Sequence, residues 1–207
     1  MKCVIFGAGT EFPDKLELPD GEKFIIAADG GLKKLNELGI LPDHTVGDLD
    51  SLDKAPDGDE FTLLPHVKDT TDTFEAVRIG SEHGCGEFHI YGGTGGRLDH
   101  TLANIQLAGM LSQRGQAAFI YGHGYVLTAV TNGKIKLPQR KSGFVSVFAH
   151  SDECAGVDIK GLMYETNAVT LKNNFALGVS NEFIGKEAEI SVKHGTLIIY
   201  YEIRTFI

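Results

Sequence analysis

Tyr91 to Asn104 reads YGGTGGRLDHTLAN, and the organisation of the chain follows from this stretch. The run Phe88-His89-Ile90-Tyr91 has strand character and stops at Gly92-Gly93. A second glycine pair, Gly95-Gly96, follows, and then Arg97, Asp99 and His100. Leu98, Leu102 and Ile105 recur at helical spacing, so the order is strand, glycine-rich turn, helix. Glycines let backbone N–H groups approach an anion, and a helix start favours negative charge. The stretch therefore reads as a phosphate cradle. It lacks a GK[ST] ending and does not fit GxGxxG, so it is neither a Walker loop nor the dinucleotide fingerprint. The alternative is a tight turn that binds nothing. The crowding of Arg97, Asp99 and His100 into so few positions favours function.

Outward from this turn, the first 122 residues repeat the same grammar. Lys2–Phe6 is a β-branched and aromatic run ending at Gly7-Ala8-Gly9. Phe24–Ala28 is a second strand, with Asp29-Gly30-Gly31 at its exit and a helix marked by Leu32, Leu35 and Leu38. Thr45-Val46 is a short strand leading into Gly47-Asp48-Leu49-Asp50-Ser51, and Phe61–Leu64 is the next. Lys68-Asp69-Thr70-Thr71-Asp72 opens a helix through Phe74, Val77 and Ile79. Ala117–Tyr121 is a further strand. Strands alternating with helices predict a mostly parallel sheet covered on both faces, with ligands outside the strands' carboxyl ends. Those exits carry Asp29, Asp48, Asp50, Asp72 and Asp99. A single aspartate at a turn is usually a cap or an Asx-turn. Several at successive exits of one sheet repel one another unless a cation sits between them, and hard oxygen ligands suit Mg2+. Asp48 and Asp50, two apart in an extended segment, would face one side. Thr71 or Asp72 caps the helix, and Asp72 remains a candidate ligand. Lys68 reads as a phosphate contact or a solvated lysine. His100 is a nucleotide contact or a first-turn histidine.

Composition bounds the partners. A net charge of -9 over 207 residues argues against nucleic acid or an anionic membrane. Cys3, Cys85 and Cys154 are odd in number and far apart, which suggests neither a disulfide framework nor a zinc site. There is no apolar run of membrane-spanning length, and the N-terminal apolar stretch is too short for a signal peptide. The expectation is a soluble, cytoplasmic protein.

After Gly122 the texture becomes β-rich. Tyr125–Val130, Lys134–Leu137, Gly143–Ala149, Val157–Ile159, Ala188–Val192 and Thr196–Tyr201 are short β-type runs separated by turn signals. They predict a small all-β domain, a sandwich or half-barrel, with an edge or face suited to pairing with a second copy. Gly178-Val179-Ser180-Asn181-Glu182-Phe183 interrupts the pattern, either as a plain turn or as a small-molecule contact. The division is residues 1–122 and 123–207.

Taken together, Asp29-Gly30-Gly31, GDLDS at 47–51, KDTTD at 68–72, GGRLDH at 95–100 with Asn104, and Ser180-Asn181 resemble the ordered motifs of the thiamine pyrophosphokinase family. The resemblance spans nearly the whole chain. It implies a Rossmann-like α/β catalytic domain, a C-terminal β-sandwich and a homodimer with sites between subunits. It implies transfer of diphosphate from ATP to the hydroxyl of thiamine, with Mg2+. Asp48, Asp50 and Asp72 would hold the metal, and Arg97 would fork onto phosphate oxygens. Asp99 would orient or deprotonate the acceptor hydroxyl, or complete the metal site. Asp29, Lys68, Thr94 and His100 would line the ATP site, and Ser180 and Asn181 would contact thiamine. The chain departs from the family pattern at Thr70, where a second basic residue is common. It also has no tryptophan, which leaves the aromatic partner of thiamine unassigned. Enzymes that pyrophosphorylate a hydroxymethyl pterin share part of the pattern. A non-catalytic nucleotide or thiamine sensor is the remaining alternative, and the clustered carboxylates speak against it.

Overall fold

The computed structural model describes residues 1–47, 61–63 and 69–203. These fall into two compact units. The first is Met1–Leu107 with Ala118–His123, and the second is Ala108–Ala117 with Gly124–Ile207.

The first unit runs β1 (Lys2–Phe6), β2 (Lys23–Ala28), α1 (Gly31–Leu38), β3 (His44–Gly47), β4 (Phe61–Leu63), α2 (Asp72–Glu82), β5 (Glu87–Tyr91), α3 (Leu98–Gln113) and β6 (Ala117–Gly122). Its strands lie in the order β6-β5-β1-β2-β3-β4. β1 pairs in parallel with both β2 and β5, and β2–β3 and β3–β4 are also parallel. β1 is therefore the switch point: the chain moves to β2 on one side, and β5 returns on the other. Alternate residues of β1 serve opposite faces. Val4 and Phe6 join Ala27, Tyr91 and Leu35 of α1 in one cluster. Cys3 faces Gly80 of α2, where an added Cβ would come 2.6 Å from its Sγ. Helices cover both sides, which is why β1 reads as an unbroken apolar run. Gly31 opens α1 directly against β1, and a Cβ there would overlap the Phe6 carbonyl oxygen. Thr71 caps α2 by accepting from the Phe74 N–H at 3.2 Å, leaving Asp72 as the first helical residue.

The second unit contains β7 (Tyr125–Thr131), β8 (Lys134–Leu137), β9 (Phe144–Ala149), β10 (Glu153–Lys160), β11 (Thr166–Lys172), β12 (Gly178–Glu182), β13 (Ala188–Ser191) and β14 (Thr196–Glu202). Strand neighbours run β12-β9-β14-β7 and β11-β10-β13-β8, and every pairing within these two sets is antiparallel. Buried Val145, Val147, Leu197 and Ile199 supply core from one set, and Val157, Ile159, Ala188 and Ile190 from the other. The end of α3 belongs to this unit for a packing reason. A Cβ on Gly109 would meet the His150 ring at 2.6 Å, the Thr131 hydroxyl donates to Ser112 at 2.9 Å, and Gln113 donates to Thr196 at 3.3 Å.

Three local expectations are corrected. Leu98 and Leu102 are not the packed face of α3; they are 71% and 54% exposed, while Asn104, Leu107, Ala108 and Leu111 are buried. Residues 178–182 are a strand, β12, paired with β9 through a register shift between Gly178 and Asn181. The bulge takes Ser180 to φ 62, which breaks the alternation that marks a strand in sequence. β11 also escapes the pattern, because most of its residues are exposed and polar faces carry little periodicity.

His89 is 5% exposed on β5, with Nδ1 against the Tyr121 hydroxyl at 2.9 Å and Nε2 against Glu87 at 2.7 Å. Lys2 also reaches Glu87, at 3.4 Å. Burial pushes the imidazole pKa down, and this outweighs the opposing pull of Glu87. An imidazole whose folded pKa is depressed remains neutral while the unfolded chain takes up its proton. Stability is therefore lost as pH falls below the ordinary imidazole value of about 6.5, until the lower folded pKa is reached. Glu87 is held below its ordinary value by His89 and Lys2 against the effect of burial, so its own contribution is lost only at more acid pH. Thermal unfolding by circular dichroism should show Tm falling from pH 7 to 5. His89→Phe should flatten that fall by up to one proton, about 1.4 kcal/mol per pH unit; an unchanged slope refutes the assignment.

Candidate active site

The exits of β1 and β5 are bound together residue by residue. Gly7 N–H donates to the Tyr91 carbonyl at 2.8 Å, and Gly9 N–H to the Gly92 carbonyl at 2.8 Å. Glu11 N–H donates to the Thr94 carbonyl at 3.2 Å. From α3, the buried Asn104 donates Nδ2 to the Gly93 carbonyl at 2.7 Å. The approach excludes side chains. A Cβ on Gly9 would overlap the Thr94 carbonyl oxygen, and one on Gly92 would lie 2.5 Å from the Gly7 oxygen. Gly92, Gly95 and Gly96 have φ of 63, 82 and 75°, a region open to glycine and costly for most other residues.

Beside this turn is a cavity of about 230 Å³. Its lining comes from Ala8 and Gly9 after β1, Ala28 and Asp29 after β2, Asp72 and Thr73 at the start of α2, and Gly92, Gly93, Gly95, Gly96, Arg97, His100 and Asn104. It lies at the carboxyl ends of the strands and at the β1/β5 switch point, where open α/β sheets bind ligands. Glycine backbone and a helix start suit a phosphate, and the carboxylates of Asp29 and Asp72 also belong to the lining.

The residues expected from sequence separate into three groups. Asp29, Asp72, Arg97 and His100 all line the cavity. Asp29 has φ 50, and its N–H donates to the Val46 carbonyl at 2.8 Å. It thus holds a left-handed conformation in the wall of a cavity, and strain of this kind costs about 1–3 kcal/mol and concentrates at functional sites. Thr94 and Asp99 are not among the lining residues. Thr94 is 1% exposed and donates its hydroxyl to Glu11 at 3.0 Å. Asp99 takes both prongs of Arg97, at 3.1 and 2.6 Å, and this exposed guanidinium holds its carboxyl below the usual range. Asp48, Asp50 and Lys68 lie outside the described residues. Gly47 precedes the first two, and a Cβ there would be 3.4 Å from the Asp29 Cα. Among the described residues no group of three His, Cys, Asp or Glu side chains is placed to hold a metal. Of the expected ligands, Asp72 lines the cavity, and its carboxylate is the hard oxygen donor that Mg2+ takes alongside water and phosphate.

Sequence reasoning missed Glu11 and Thr73. The only sequence signal for Glu11 is its place just beyond Gly7-Ala8-Gly9.

Ser180 and Asn181 belong to the second unit. Ser180 N–H donates to the Ser146 hydroxyl at 3.1 Å. Asn181 is 6% exposed; its Oδ1 accepts from Tyr164 N–H and Glu182 N–H at 2.9 Å each, and its Nδ2 donates to the Tyr164 carbonyl at 2.7 Å. Its amide is committed to holding Tyr164. Asn181 and Tyr164 border a cavity of about 110 Å³ with Ile159, Val169, Leu177 and Val179, and Ser180 is not among its lining residues.

Residues 16–120 match the model of the thiamin pyrophosphokinase catalytic domain. The chain belongs to the thiamin pyrophosphokinase family. Residues 133–197 also match the family's vitamin B1 binding domain. A thiamine pyrophosphokinase of Bacillus subtilis is 26% identical over 206 residues, 96% of each chain. The crystal structure of a thiamin pyrophosphokinase from Geobacillus thermodenitrificans superposes with a TM-score of 0.82 at 26% identity, covering 99% of both chains. A yeast thiamin pyrophosphokinase structure shares the fold, with a TM-score of 0.74 at 15% identity over 98% of this chain and 86% of that one. In this family member, the β12 asparagine acts on its neighbour's backbone. Asn181→Ala should lower stability by about 1–3 kcal/mol, because it strands the Tyr164 carbonyl and two N–H groups. Denaturant unfolding measures this, and a wild-type midpoint would show that Asn181 has no supporting role.

Proposed function

We propose that this chain transfers diphosphate from ATP to the hydroxyl of thiamine, giving thiamine diphosphate and AMP. The observation that carries this reading is the cavity at the β1/β5 switch point. There the glycine turn, Asp29, Asp72, Arg97 and His100 meet in a chain of the thiamin pyrophosphokinase family.

Transfer requires the acceptor hydroxyl in line with the β-phosphorus and AMP as leaving group, so positioning and electrostatics supply most of the rate. The Gly92–Gly96 turn seats the phosphate chain. Arg97 exchanges Asp99 for phosphate oxygens, gaining a charge-assisted fork. The released Asp99 carboxylate, already ionised, then orients the acceptor hydroxyl or assists the metal site. Asp29 and His100 border the nucleotide. Asp72, with Asp48 and Asp50 from beyond β3, would hold Mg2+, which when bound neutralises charge on the polyphosphate. Lys68 adds a cation to the phosphates, and Thr94 serves the ATP site from behind the turn. The first unit is thus a Rossmann-like nucleotide domain. The second is a sandwich that binds thiamine through the Ser180–Asn181 strand, with Tyr164, fixed by Asn181 and 65% exposed, offering the aromatic face that no tryptophan supplies.

Purified protein with ATP and Mg2+ should release AMP when given thiamine and not when given a hydroxymethyl pterin. The reverse preference refutes the acceptor, and no AMP with either supports a sensor. Asp72→Asn should reduce turnover by about two orders of magnitude with the Tm retained, since a metal ligand is lost from the transition state. Near-normal turnover at low Mg2+ removes Asp72 from the metal site.

A homodimer completes the reading. Met163, Tyr164, Phe175, Leu177 and Val179 expose apolar surface on the second unit, as expected of a face that pairs with a second copy. Light scattering at micromolar concentration should give twice the 22.4 kDa chain mass. A fully active monomer would remove the idea of sites between subunits.

A further inference from the structure

We propose that Glu11 is a positioning residue that holds the phosphate-binding turn in its binding geometry before ATP arrives. The inference rests on the reading that this cavity takes the polyphosphate of ATP.

The carbonyls of four consecutive residues, Tyr91, Gly92, Gly93 and Thr94, each accept a protein hydrogen bond. Three of the donors are the alternate N–H groups of Gly7, Gly9 and Glu11, which form a strap along the turn. The fourth is Asn104. A carbonyl oxygen is the negative end of the peptide dipole and repels an anion. Committing all four to protein donors fixes their directions and keeps them from competing for the cavity. Left to itself, a segment with four glycines in five residues would lose much conformational freedom on binding.

Glu11 is where strap and turn are joined by a side chain as well as by backbone. Its N–H donates to the Thr94 carbonyl, and its Oε2 accepts from the Thr94 hydroxyl at 3.0 Å. Its stem lies across Gly95, where a Cβ would stand 2.8 Å from the Glu11 Cγ. Gly95 therefore holds φ 82 with Glu11 closing the side on which a side chain would point. Glu11 is not among the residues lining the cavity. A carboxylate facing a polyphosphate would repel it; here Glu11 is turned to the back of the turn and acts through Thr94.

The test compares Glu11→Ala, Glu11→Gln, Thr94→Val and the Glu11→Ala/Thr94→Val double variant. Four readouts are used: KM for ATP and for thiamine, Kd for a non-hydrolysable ATP analogue by calorimetry, ligand-free amide exchange at Gly92–Gly96, and Tm. Glu11→Ala should raise the ATP KM and the analogue Kd about five- to thirtyfold, as for one lost hydrogen bond in a supporting network. The thiamine KM should stay unchanged, and exchange across the turn should accelerate. Thr94→Val should match it, and the double variant should be no worse than either, because both substitutions break one interaction. Glu11→Gln keeps an acceptor oxygen and should remain near wild type. The proposal is overturned if Glu11→Ala leaves the analogue Kd and the exchange unchanged, or if Glu11→Gln is as damaging as Glu11→Ala. Equal rises in both KM values with a fall in Tm overturn it as well, since that is general destabilisation. If the wild type binds the analogue but does not turn over thiamine, the assigned reaction fails while the calorimetry and exchange still decide the role of Glu11. If the wild type does not bind the analogue, both fall.

Discussion

The structure of the first unit depends on how closely two pieces of backbone approach one another. The segment leaving β1 and the turn leaving β5 lie against each other with no room for a side chain at Gly9 or Gly92. Parallel neighbours in a sheet deliver their chain exits to the same end, and at the switch point two exits diverge to opposite faces and open a crevice. Here the divergence is short, so the exits hydrogen-bond before they part. Each bond satisfies a polar group that would otherwise be buried without a partner. The result is a stiff floor made of main chain.

The rim of the same cavity is built differently. Arg97 and Asp99 are both largely exposed and pair with one another, Asp99 also accepting the His100 N–H at 3.0 Å, and an exposed ion pair is easily exchanged for a better partner. Asp72 sits on the first turn of a helix whose own cap is supplied by Thr71, so its carboxylate is not needed to start the helix. A floor tied by backbone hydrogen bonds and a rim of exposed side chains suit a reaction in which the phosphate chain must be held while the acceptor and leaving group change.

Much of this was legible in the sequence where the determinants are local. Strand runs ending in glycine or aspartate placed the parallel strands of the first unit, and the KDTTD segment placed a helix start with Thr71 or Asp72 as its cap. Four aspartate, arginine and histidine positions chosen from strand exits do converge on one cavity. What escaped was set by distant contacts or by a broken pattern. Glu11 meets Thr94 across 83 positions, and no spacing rule links them. Thr94 sits inside the cradle in sequence but is not among the cavity's lining residues, because the strap supplies Glu11 as a half-buried acceptor for its hydroxyl. Leu98 and Leu102 share a helical face, yet spacing alone does not say which face is covered. β12 was hidden because Ser180 adopts a left-handed conformation that cancels the alternation.

The aromatic ladder on one face of the sheet has an optical consequence. Phe6, Tyr91, Tyr121 and His89 stack in sequence, with the Tyr91 and Tyr121 rings 4.6 Å apart and 6° from parallel. The chain has six tyrosines and no tryptophan, so indole emission does not mask the phenols. Tyr91 is the residue from which the glycine turn springs, and its hydroxyl is tied to the Glu17 carbonyl at 2.7 Å. The other tyrosine pair, Tyr125 and Tyr200, is tilted by 34° and belongs to the second unit. Two chromophore pairs of different geometry therefore sit one in each unit. The near-parallel pair is placed so that a change in the turn alters its ultraviolet signal without any attached label.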